Sequence, residues 1–219
     1  MSIQPFYSHA GITIYHGDCR EILPGLPACD LLLTDPPYGI NYKSDYIGDT
    51  TTAQWMNQVI AGDKDTSLRD WVLTDYTEWA CFGSYKVQPP ANTKSWLVWD
   101  KGPASGMGDL TWPWKLSWEL VFLRGAFWRG TRDEGIIKGR WIVTRASMGR
   151  VHPNEKPVEL IQYLISKHDS YSVLDPFCGS GTTLVAAKNL NRRAIGIEIE
   201  ERYCEIAAKR LSQEVLNFS

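Results

Sequence analysis

The chain has 219 residues, of which 43% are hydrophobic and 22% are charged, and its formal net charge is −2 at pH 7. These values are typical of one globular domain and exclude a disordered chain, and no apolar run reaches the length of a membrane span. The N-terminus lacks the basic-then-apolar pattern of a signal peptide. The five cysteines are scattered without paired spacing, which predicts reduced thiols in a cytoplasmic protein, and the four histidines form no pattern typical of a metal site.

Apolar runs and helical repeats predict alternating strands and helices along the chain. Strands are predicted at residues 12–15, 30–34, 80–84, 95–99, 120–123, 173–174 and 194–199. Helices are predicted at residues 19–23, 71–80, 157–167, 182–190 and 201–216, and the polar residues 39–52 predict a long loop. This alternation is typical of an α/β fold in which helices cover both faces of a parallel sheet.

The sequence Asp35-Pro36-Pro37-Tyr38 directly follows one of the predicted strands. Two consecutive prolines fix the backbone and remove two N–H donors, so a carbonyl oxygen can point outward without a competing donor. Asp35 supplies a second acceptor, and two acceptors can hold both hydrogens of an exocyclic NH2 group. Tyr38 offers a flat face on which an extruded base can stack. The pattern predicts an amine site, and the structural alternative is a turn that contains two prolines.

A basic stretch runs from residue 124 to residue 150, and only Asp133 and Glu134 oppose it. Such a stretch can lie on the phosphates of a nucleic acid, although a solvated loop is the alternative. Its basic residues are Arg124, Arg129, Arg132, Lys138, Arg140, Arg145 and Arg150.

A glycine loop with an acidic partner follows the strand predicted at residues 173–174. Gly179 and Gly181 let the backbone turn tightly and approach a ligand closely. Glu198 ends the next strand, where an acid would accept hydrogen bonds from ribose hydroxyls. Asp175, directly before the loop, would repel a pyrophosphate but attract the ammonium group of a methionine moiety. The loop therefore favours a methionine-containing nucleoside over a nicotinamide dinucleotide, and an ordinary strand-to-helix turn is the alternative.

The amine motif and the glycine loop, in this order, resemble those of the beta or permuted group of S-adenosylmethionine-dependent amino DNA methyltransferases. Residues 152–157 (HPNEKP) resemble the family motif that closes over the methionine end of the cofactor. The resemblance covers most of the chain. It implies a Rossmann-like methyltransferase fold, with a seven-stranded, mostly parallel sheet, one antiparallel strand near an edge, and a circularly permuted motif order.

The resemblance also implies a role for particular residues, and it identifies S-adenosylmethionine as the cofactor and DNA as the partner. The catalytic set is Asp35, Pro36, Pro37 and Tyr38. The cofactor set is Asp18, which would contact the adenine ring, with Cys19, His152, Lys156, Pro157, Asp175, Phe177, Gly179, Gly181, Thr182 and Glu198. The DNA-binding set, taken from the basic stretch, is Arg129, Arg132, Lys138, Arg140, Arg145 and Arg150.

The function expected from these features is methylation of adenine N6 in DNA by a bacterial or phage-encoded enzyme. Asp35 opens the amine motif, and an aspartate there favours adenine within the family. The transfer would be direct, because methylation of a cytosine carbon needs a nucleophilic cysteine in a Pro-Cys pair, and the chain has no such pair. The alternatives are a cytosine-N4 enzyme, an RNA or protein amine methyltransferase, and a silent DNA-binding homologue.

The expected organisation is one methyltransferase domain over residues 1–219, with a short basic recognition segment at about residues 125–151. Larger family members carry a target-recognition domain at that place. Either the short segment reads a short site, or a second copy of the chain helps in a homodimer, or specificity is low. The sequence leaves open whether the enzyme belongs to a restriction-modification system.

Overall fold

One mixed β-sheet organises the part of the chain that the computed structural model describes, which is residues 3–40, 62–102, 111, 113–138 and 155–213. Its strands in chain order are β1 (Tyr7–His9), β2 (Ile12–His16), β3 (Leu31–Thr34), β4 (Trp79–Gly83), β5 (Ser95–Asp100), β6 (Trp118–Arg124), β7 (Ile136–Lys138), β8 (Ser172–Asp175) and β9 (Arg193–Glu198). They lie side by side in the order β1-β2-β9-β8-β3-β4-β6-β5-β7.

The directions of the strands confirm the expected mostly parallel sheet. The neighbours β2, β9, β8, β3 and β4 are parallel, and β6 is antiparallel to both of its neighbours. The described sheet has nine strands, however, and not seven. Both additional strands are three residues long and lie at the edges, where short strands give little sequence signal. β1 joins β2 through a tight turn at Ala10 and Gly11, which have φ angles of 49° and 80°.

Strands from the C-terminal part of the chain pair with strands from the N-terminal part. Ile12 of β2 pairs with Ala194 of β9, and Leu31 of β3 pairs with Val173 of β8, in both cases in parallel. The carboxyl ends of these four strands therefore meet at one edge of the sheet, which we call the carboxyl edge. The amine motif and the glycine loop are neighbours there, although they are far apart in the chain.

Helices cover both faces of the sheet, as predicted. One face carries α1 (Cys19–Ile22), which runs into a 3-10 turn (Leu23–Gly25), and α2 (Ser67–Thr74); the other carries α3 (Val158–Ser166), α4 (Thr182–Asn189) and α5 (Glu201–Ser212). Within β3, Leu31 and Leu33 pack on the side of α3 to α5, and Leu32 packs on the side of α1 and α2. This strand is buried on both faces, which explains its continuous apolar sequence.

The helix predicted at residues 71–80 is wrong over its second half. α2 ends at Thr74, and Trp79 and Ala80 belong to β4, where both are fully buried. Burial in the sheet therefore overrides the helical pattern of these residues. Within the described ranges, no helix has the length and apolar character needed to cross a membrane.

Candidate active site

Acidic side chains from four parallel strands converge on a single cavity at the carboxyl edge. Asp18 follows β2, Asp35 follows β3, Asp175 ends β8 and Glu198 ends β9. All four line a cavity of about 1000 Å³. Parallel α/β sheets bind their ligands in the crevice outside the carboxyl ends of the strands. The cavity is therefore the candidate site.

The two glycines of the loop between β8 and α4 meet different surroundings. Both are left-handed, with φ of 50° at Gly179 and 83° at Gly181. A Cβ atom built on Gly179 meets no atom within 4 Å, and this residue lines the cavity. A Cβ atom on Gly181 would lie 2.8 Å from the Cβ atom of Ala207 on α5. Gly179 thus leaves room for a ligand, whereas Gly181 lets α4 and α5 pack closely and is not part of the cavity lining.

Glu198 holds the glycine loop in place from the end of β9. Its carboxylate accepts hydrogen bonds from the N–H of Gly179 at 2.9 Å and from the N–H of Glu200 at 2.8 Å. Burial nevertheless raises the pKa of Glu198 above its ordinary value. Each carboxylate oxygen retains further acceptor capacity, so this side chain can accept hydrogen bonds from the hydroxyls of a ribose.

Asp175 joins the two motifs. Its Oδ1 accepts hydrogen bonds from the Thr34 hydroxyl at 2.7 Å and from the Phe177 N–H at 3.2 Å, and Thr34 directly precedes Asp35. Burial raises the pKa of Asp175 from 3.8 to about 6, against the opposing effect of hydrogen bonds from Thr183 and Thr34. A carboxylate in this setting gains from a cationic partner, because burial without one is unfavourable for its charged form.

At the side of the cavity nearest β2, Asp18 caps the first turn of α1. Its Oδ1 accepts a hydrogen bond from the Arg20 N–H at 2.9 Å. Hydrogen bonds from the Arg20 side chain lower the pKa of Asp18, so the carboxylate stays ionised. Cys19 is buried beside it, and burial raises the pKa of its thiol to about 11. Cys19 therefore lines the cavity as a neutral, weakly polar side chain.

The amine motif lines the cavity with all four of its residues. The Tyr38 hydroxyl donates to Asp35 Oδ1 at 2.7 Å, and burial raises the pKa of Tyr38, so the hydroxyl remains a donor. Cys81 pairs with Thr34 beside this motif, but it is fully buried, and burial raises the pKa of its thiol, so it stays protonated and is a poor nucleophile. The arrangement provides carboxylate oxygens for hydrogen bonds to an amine, which suits direct group transfer.

Lys156, expected among the cofactor residues, lines the cavity and lies against the amine motif. Its Nζ donates to Asp35 Oδ2 at 2.6 Å and lies 3.2 Å from Glu119 Oε2. Burial alone would lower the pKa of Lys156, but Asp35 and Glu119 raise it above its ordinary value. The neighbouring Pro157 precedes α3 and is not among the residues that line the cavity.

Two residues of this cluster, Glu119 and Lys101, lie outside the motifs that predict the site. Glu119 is the second residue of β6 and accepts a hydrogen bond from Lys101, which directly follows β5. Burial raises the pKa of Glu119, but Lys156 and Lys101 outweigh it and lower the pKa overall. The signal in the sequence is a charged residue at the carboxyl-edge end of these two strands, Lys101 just after β5 and Glu119 near the start of β6.

The remaining cofactor residues close the cavity near the start of α4. Thr182 donates from its hydroxyl to Glu155 at 3.1 Å, and Glu155 forms an ion pair with Arg210 of α5 at 2.5 Å. Phe177 contributes an apolar wall. The open cradle at Gly179, the acids and this apolar wall suit S-adenosylmethionine, which combines an ammonium group, a ribose and an adenine. His152 lies outside the described residues.

The predicted DNA-binding residues divide between the two edges of the sheet. Arg124 at the end of β6 pairs with Trp79 at the start of β4, so the chain continues from the edge opposite to the cavity. There the Arg129 N–H donates to the Lys167 carbonyl at 2.6 Å, and Arg132 is exposed nearby. Lys138 ends β7, which runs parallel to β5, and so lies at the carboxyl edge. Arg140, Arg145 and Arg150 lie outside the described residues.

The chain is similar in sequence to DNA methylases over most of its length. The sequence profile of a DNA methylase family, covering N6 and N4 enzymes, matches residues 98–209. YubD of Escherichia coli (strain K12), which carries the name of a methylase, is 34% identical over 218 residues, covering 90% of this chain and 88% of that protein. The type II methyltransferase M.ScaI of Streptomyces caespitosus is 27% identical over 269 residues, covering 96% of this chain and 84% of that protein.

Two solved structures share the fold. M1.HpyAVI, in a complex with S-adenosylmethionine, gives a TM-score of 0.65 at 24% identity, over 92% of this chain and 100% of that chain. The cytosine-N4-specific PvuII DNA methyltransferase gives a TM-score of 0.63 at 18% identity, over 99% of this chain and 91% of that chain. These likenesses confirm the expected Rossmann-like methyltransferase fold.

Proposed function

Because the chain belongs to the DNA methylase family of N6 and N4 enzymes, we propose that it transfers a methyl group from S-adenosylmethionine to the exocyclic N6 amine of adenine in DNA. The family uses this cofactor. The observation that supports the proposal best is the hydrogen bond from Thr34 to Asp175 at 2.7 Å. It joins the amine motif to the cofactor loop within one cavity, so a target amine at Asp35 lies beside a ligand at Gly179.

Each part of the cavity has its own task. Asp175 pairs with the ammonium group of the cofactor, Glu198 accepts hydrogen bonds from its ribose hydroxyls, and Gly179 admits its close approach. When bound, S-adenosylmethionine supplies an electrophilic methyl group on a positively charged sulfur. Asp35 accepts a hydrogen bond from the target amine and turns its lone pair toward that methyl group. The methyl group would replace one proton of the target amine. That proton would pass to solvent, and the demethylated cofactor would leave as a neutral thioether.

Adenine is preferred to cytosine because an aspartate opens the amine motif. The second candidate target is the N4 amine of cytosine, which also adjoins a ring nitrogen. The cytosine-N4-specific PvuII enzyme shares this fold, so the same scaffold can serve that base.

The test is transfer of labelled methyl from S-adenosylmethionine to unmethylated DNA, followed by nucleoside analysis. N6-methyladenine is the expected product, and Asp35→Ala should abolish it while leaving cofactor binding largely intact. N4-methylcytosine without methyladenine would overturn the choice of base, and transfer to RNA but not to DNA would overturn the choice of substrate. A chain that binds DNA but never the cofactor would be a silent homologue.

A further inference from the structure

A buried ammonium group lies directly behind the proposed amine site. The Lys156 side chain is only 8% exposed, and its Nζ lies between Asp35 Oδ2 at 2.6 Å and Glu119 Oε2 at 3.2 Å. It also lies 5.1 Å from the centre of the Phe82 ring. Burying a charged group is unfavourable unless it is well paired, so this position depends on the two carboxylates.

The charges around Lys156 balance. Glu119 also pairs with Lys101, so two cations and two carboxylates form a chain in the order Asp35, Lys156, Glu119, Lys101. Glu119 belongs to β6 and Lys101 follows β5, so the cluster ties the end of β3 to the antiparallel part of the sheet. A neutral cluster of this kind fixes its members without adding net charge near the reacting nitrogen.

The Asp35 carboxylate is held at both oxygens. Tyr38 donates to Oδ1 at 2.7 Å and Lys156 donates to Oδ2 at 2.6 Å. A carboxylate oxygen has two acceptor sites, so each oxygen can still accept a hydrogen bond from a target amine. The two donors therefore set the plane of the carboxylate and leave acceptor sites for the substrate.

We propose that Lys156 is a positioning residue for methyl transfer, which holds the Asp35 carboxylate in the orientation that the target amine needs and is itself held by Glu119. This inference rests on the proposed function and gives Lys156 a role other than cofactor binding. Loss of the ammonium group then slows the transfer step and leaves the affinity for S-adenosylmethionine unchanged.

The test compares Lys156→Met, which keeps most of the length of the side chain without its charge, with Lys156→Arg, which keeps the charge. Single-turnover transfer to DNA is measured at saturating cofactor, and the cofactor dissociation constant is measured without DNA. Lys156→Met should slow transfer by about 100-fold, the loss typical of a misplaced catalytic group, with an unchanged dissociation constant. Lys156→Arg should recover part of the rate. A raised dissociation constant with a normal rate at saturation would overturn the proposal.

A double-mutant cycle with Asp35→Asn separates positioning from general stability. If Lys156 acts through Asp35, adding Lys156→Met to Asp35→Asn should slow transfer by less than about threefold further. Additive losses would overturn the proposal. If Lys156→Met does not fold, Glu119→Gln takes its place, and it should also slow transfer without changing cofactor affinity. An unchanged rate in the folded variants overturns this inference alone, whereas no transfer by the wild-type chain overturns the proposed function with it.

Discussion

At the scale of single residues, Gly179 and Gly181 share a left-handed backbone but differ in what an added methyl group meets. Any residue other than glycine loses about 1–2 kcal/mol in that conformation. At Gly181 the methyl group would also press on Ala207, and overpacking of this kind destabilises by about 1–3 kcal/mol more. At Gly179 the methyl group enters the cavity and meets no protein atom within 4 Å.

We therefore predict that the two alanine variants differ in their main defect, which is stability for Gly181→Ala and cofactor affinity for Gly179→Ala. Gly181→Ala should lower the free energy of unfolding by roughly 2–5 kcal/mol, the sum of both effects. Gly179→Ala should lower the free energy of unfolding by only about 1–2 kcal/mol. Its methyl group occupies space that the ligand needs, so it should also weaken binding of S-adenosylmethionine about tenfold or more, which corresponds to a loss of about 1.4 kcal/mol or more of binding free energy. Denaturant unfolding and cofactor titration on both variants provide the check. Equal stability losses, or normal cofactor affinity in Gly179→Ala, would contradict this account.

Asp175 predicts a pH dependence of cofactor binding. Its carboxyl has a pKa of about 6 in the folded chain, raised by burial from 3.8. Below that pH it is protonated and cannot pair with the ammonium group of the cofactor. The affinity should therefore fall as the pH is lowered through 6, by up to about tenfold per pH unit. Titrations between pH 5 and 8 test this, with Asp175→Asn as the control that should lack the dependence; a constant affinity in the wild type would contradict it.

The Asp175 carboxyl also makes the free energy of unfolding depend on pH, but in the opposite direction to the cofactor affinity. Because the folded pKa of Asp175 lies above the unfolded value, the folded chain holds a proton between about pH 4 and 6 that the unfolded chain has lost. Its contribution to the free energy of unfolding therefore falls as the pH rises through this window and is constant above it. If the proposed pairing with the ammonium group of the cofactor occurs, cofactor binding at neutral pH should offset this loss.

At the scale of elements, the side chain of Asp63 holds the turn that follows the amine motif. Asp63 is buried, and its Oδ1 accepts the N–H of Gly39 at 2.7 Å and the N–H of Ile40 at 3.3 Å. Gly39 has a φ of 71°, and a Cβ atom there would lie 2.4 Å from the carbonyl carbon of Asp65. Backbone atoms cannot yield as the end of a side chain can, so the turn itself would shift.

Gly39→Ala should therefore displace Tyr38 and slow methyl transfer by about 100-fold, with cofactor affinity retained. Gly130→Ala is the matched control, because Gly130 has a φ of 93° and an added Cβ atom would approach only the Lys167 side chain, at 3.6 Å or more. The control should show the same backbone strain and normal transfer. If both variants transferred at the wild-type rate, the turn would not position the amine site.

The sequence predicts well those parts of the site that are formed by residues adjacent in the chain. The amine motif and the glycine loop each follow an apolar strand directly, and parallel pairing of β3 with β8 then brings them together. Lys156 and Asp35 are 121 residues apart in the chain, so the sequence around either residue could not predict their contact. Glu119 was hidden for a related reason, since its place at the carboxyl edge depends on β6 running antiparallel. The roles of these residues in catalysis and binding remain predictions.

At the scale of the whole molecule, the two edges of the sheet differ in what they carry. The carboxyl edge holds the cavity, whereas at the opposite edge Glu78 accepts the N–H of Ala126 at 2.8 Å and pairs with the buried His168 at 3.0 Å. These contacts fix the start of the basic stretch. β6 has seven residues, so the stretch begins roughly 20 Å from the cavity. The basic stretch therefore begins at the opposite edge, and β7 carries it back to the carboxyl edge at Lys138.

DNA that delivers a base to the cavity must contact the carboxyl edge, so its phosphates should meet the cations at that edge. Lys64 and Lys86 are exposed and line the cavity, whereas Arg129 and Arg132 lie at the opposite edge. Lys64→Ala with Lys86→Ala should weaken DNA binding and reduce the salt slope of the binding constant by about two units, one for each lost phosphate contact. Arg129→Ala with Arg132→Ala is the matched control and should leave both quantities unchanged. Binding titrations across a series of salt concentrations decide between the edges. If the control pair lost the salt dependence, the DNA would extend around the sheet to the opposite edge, and the whole basic stretch would then act as one phosphate-binding surface.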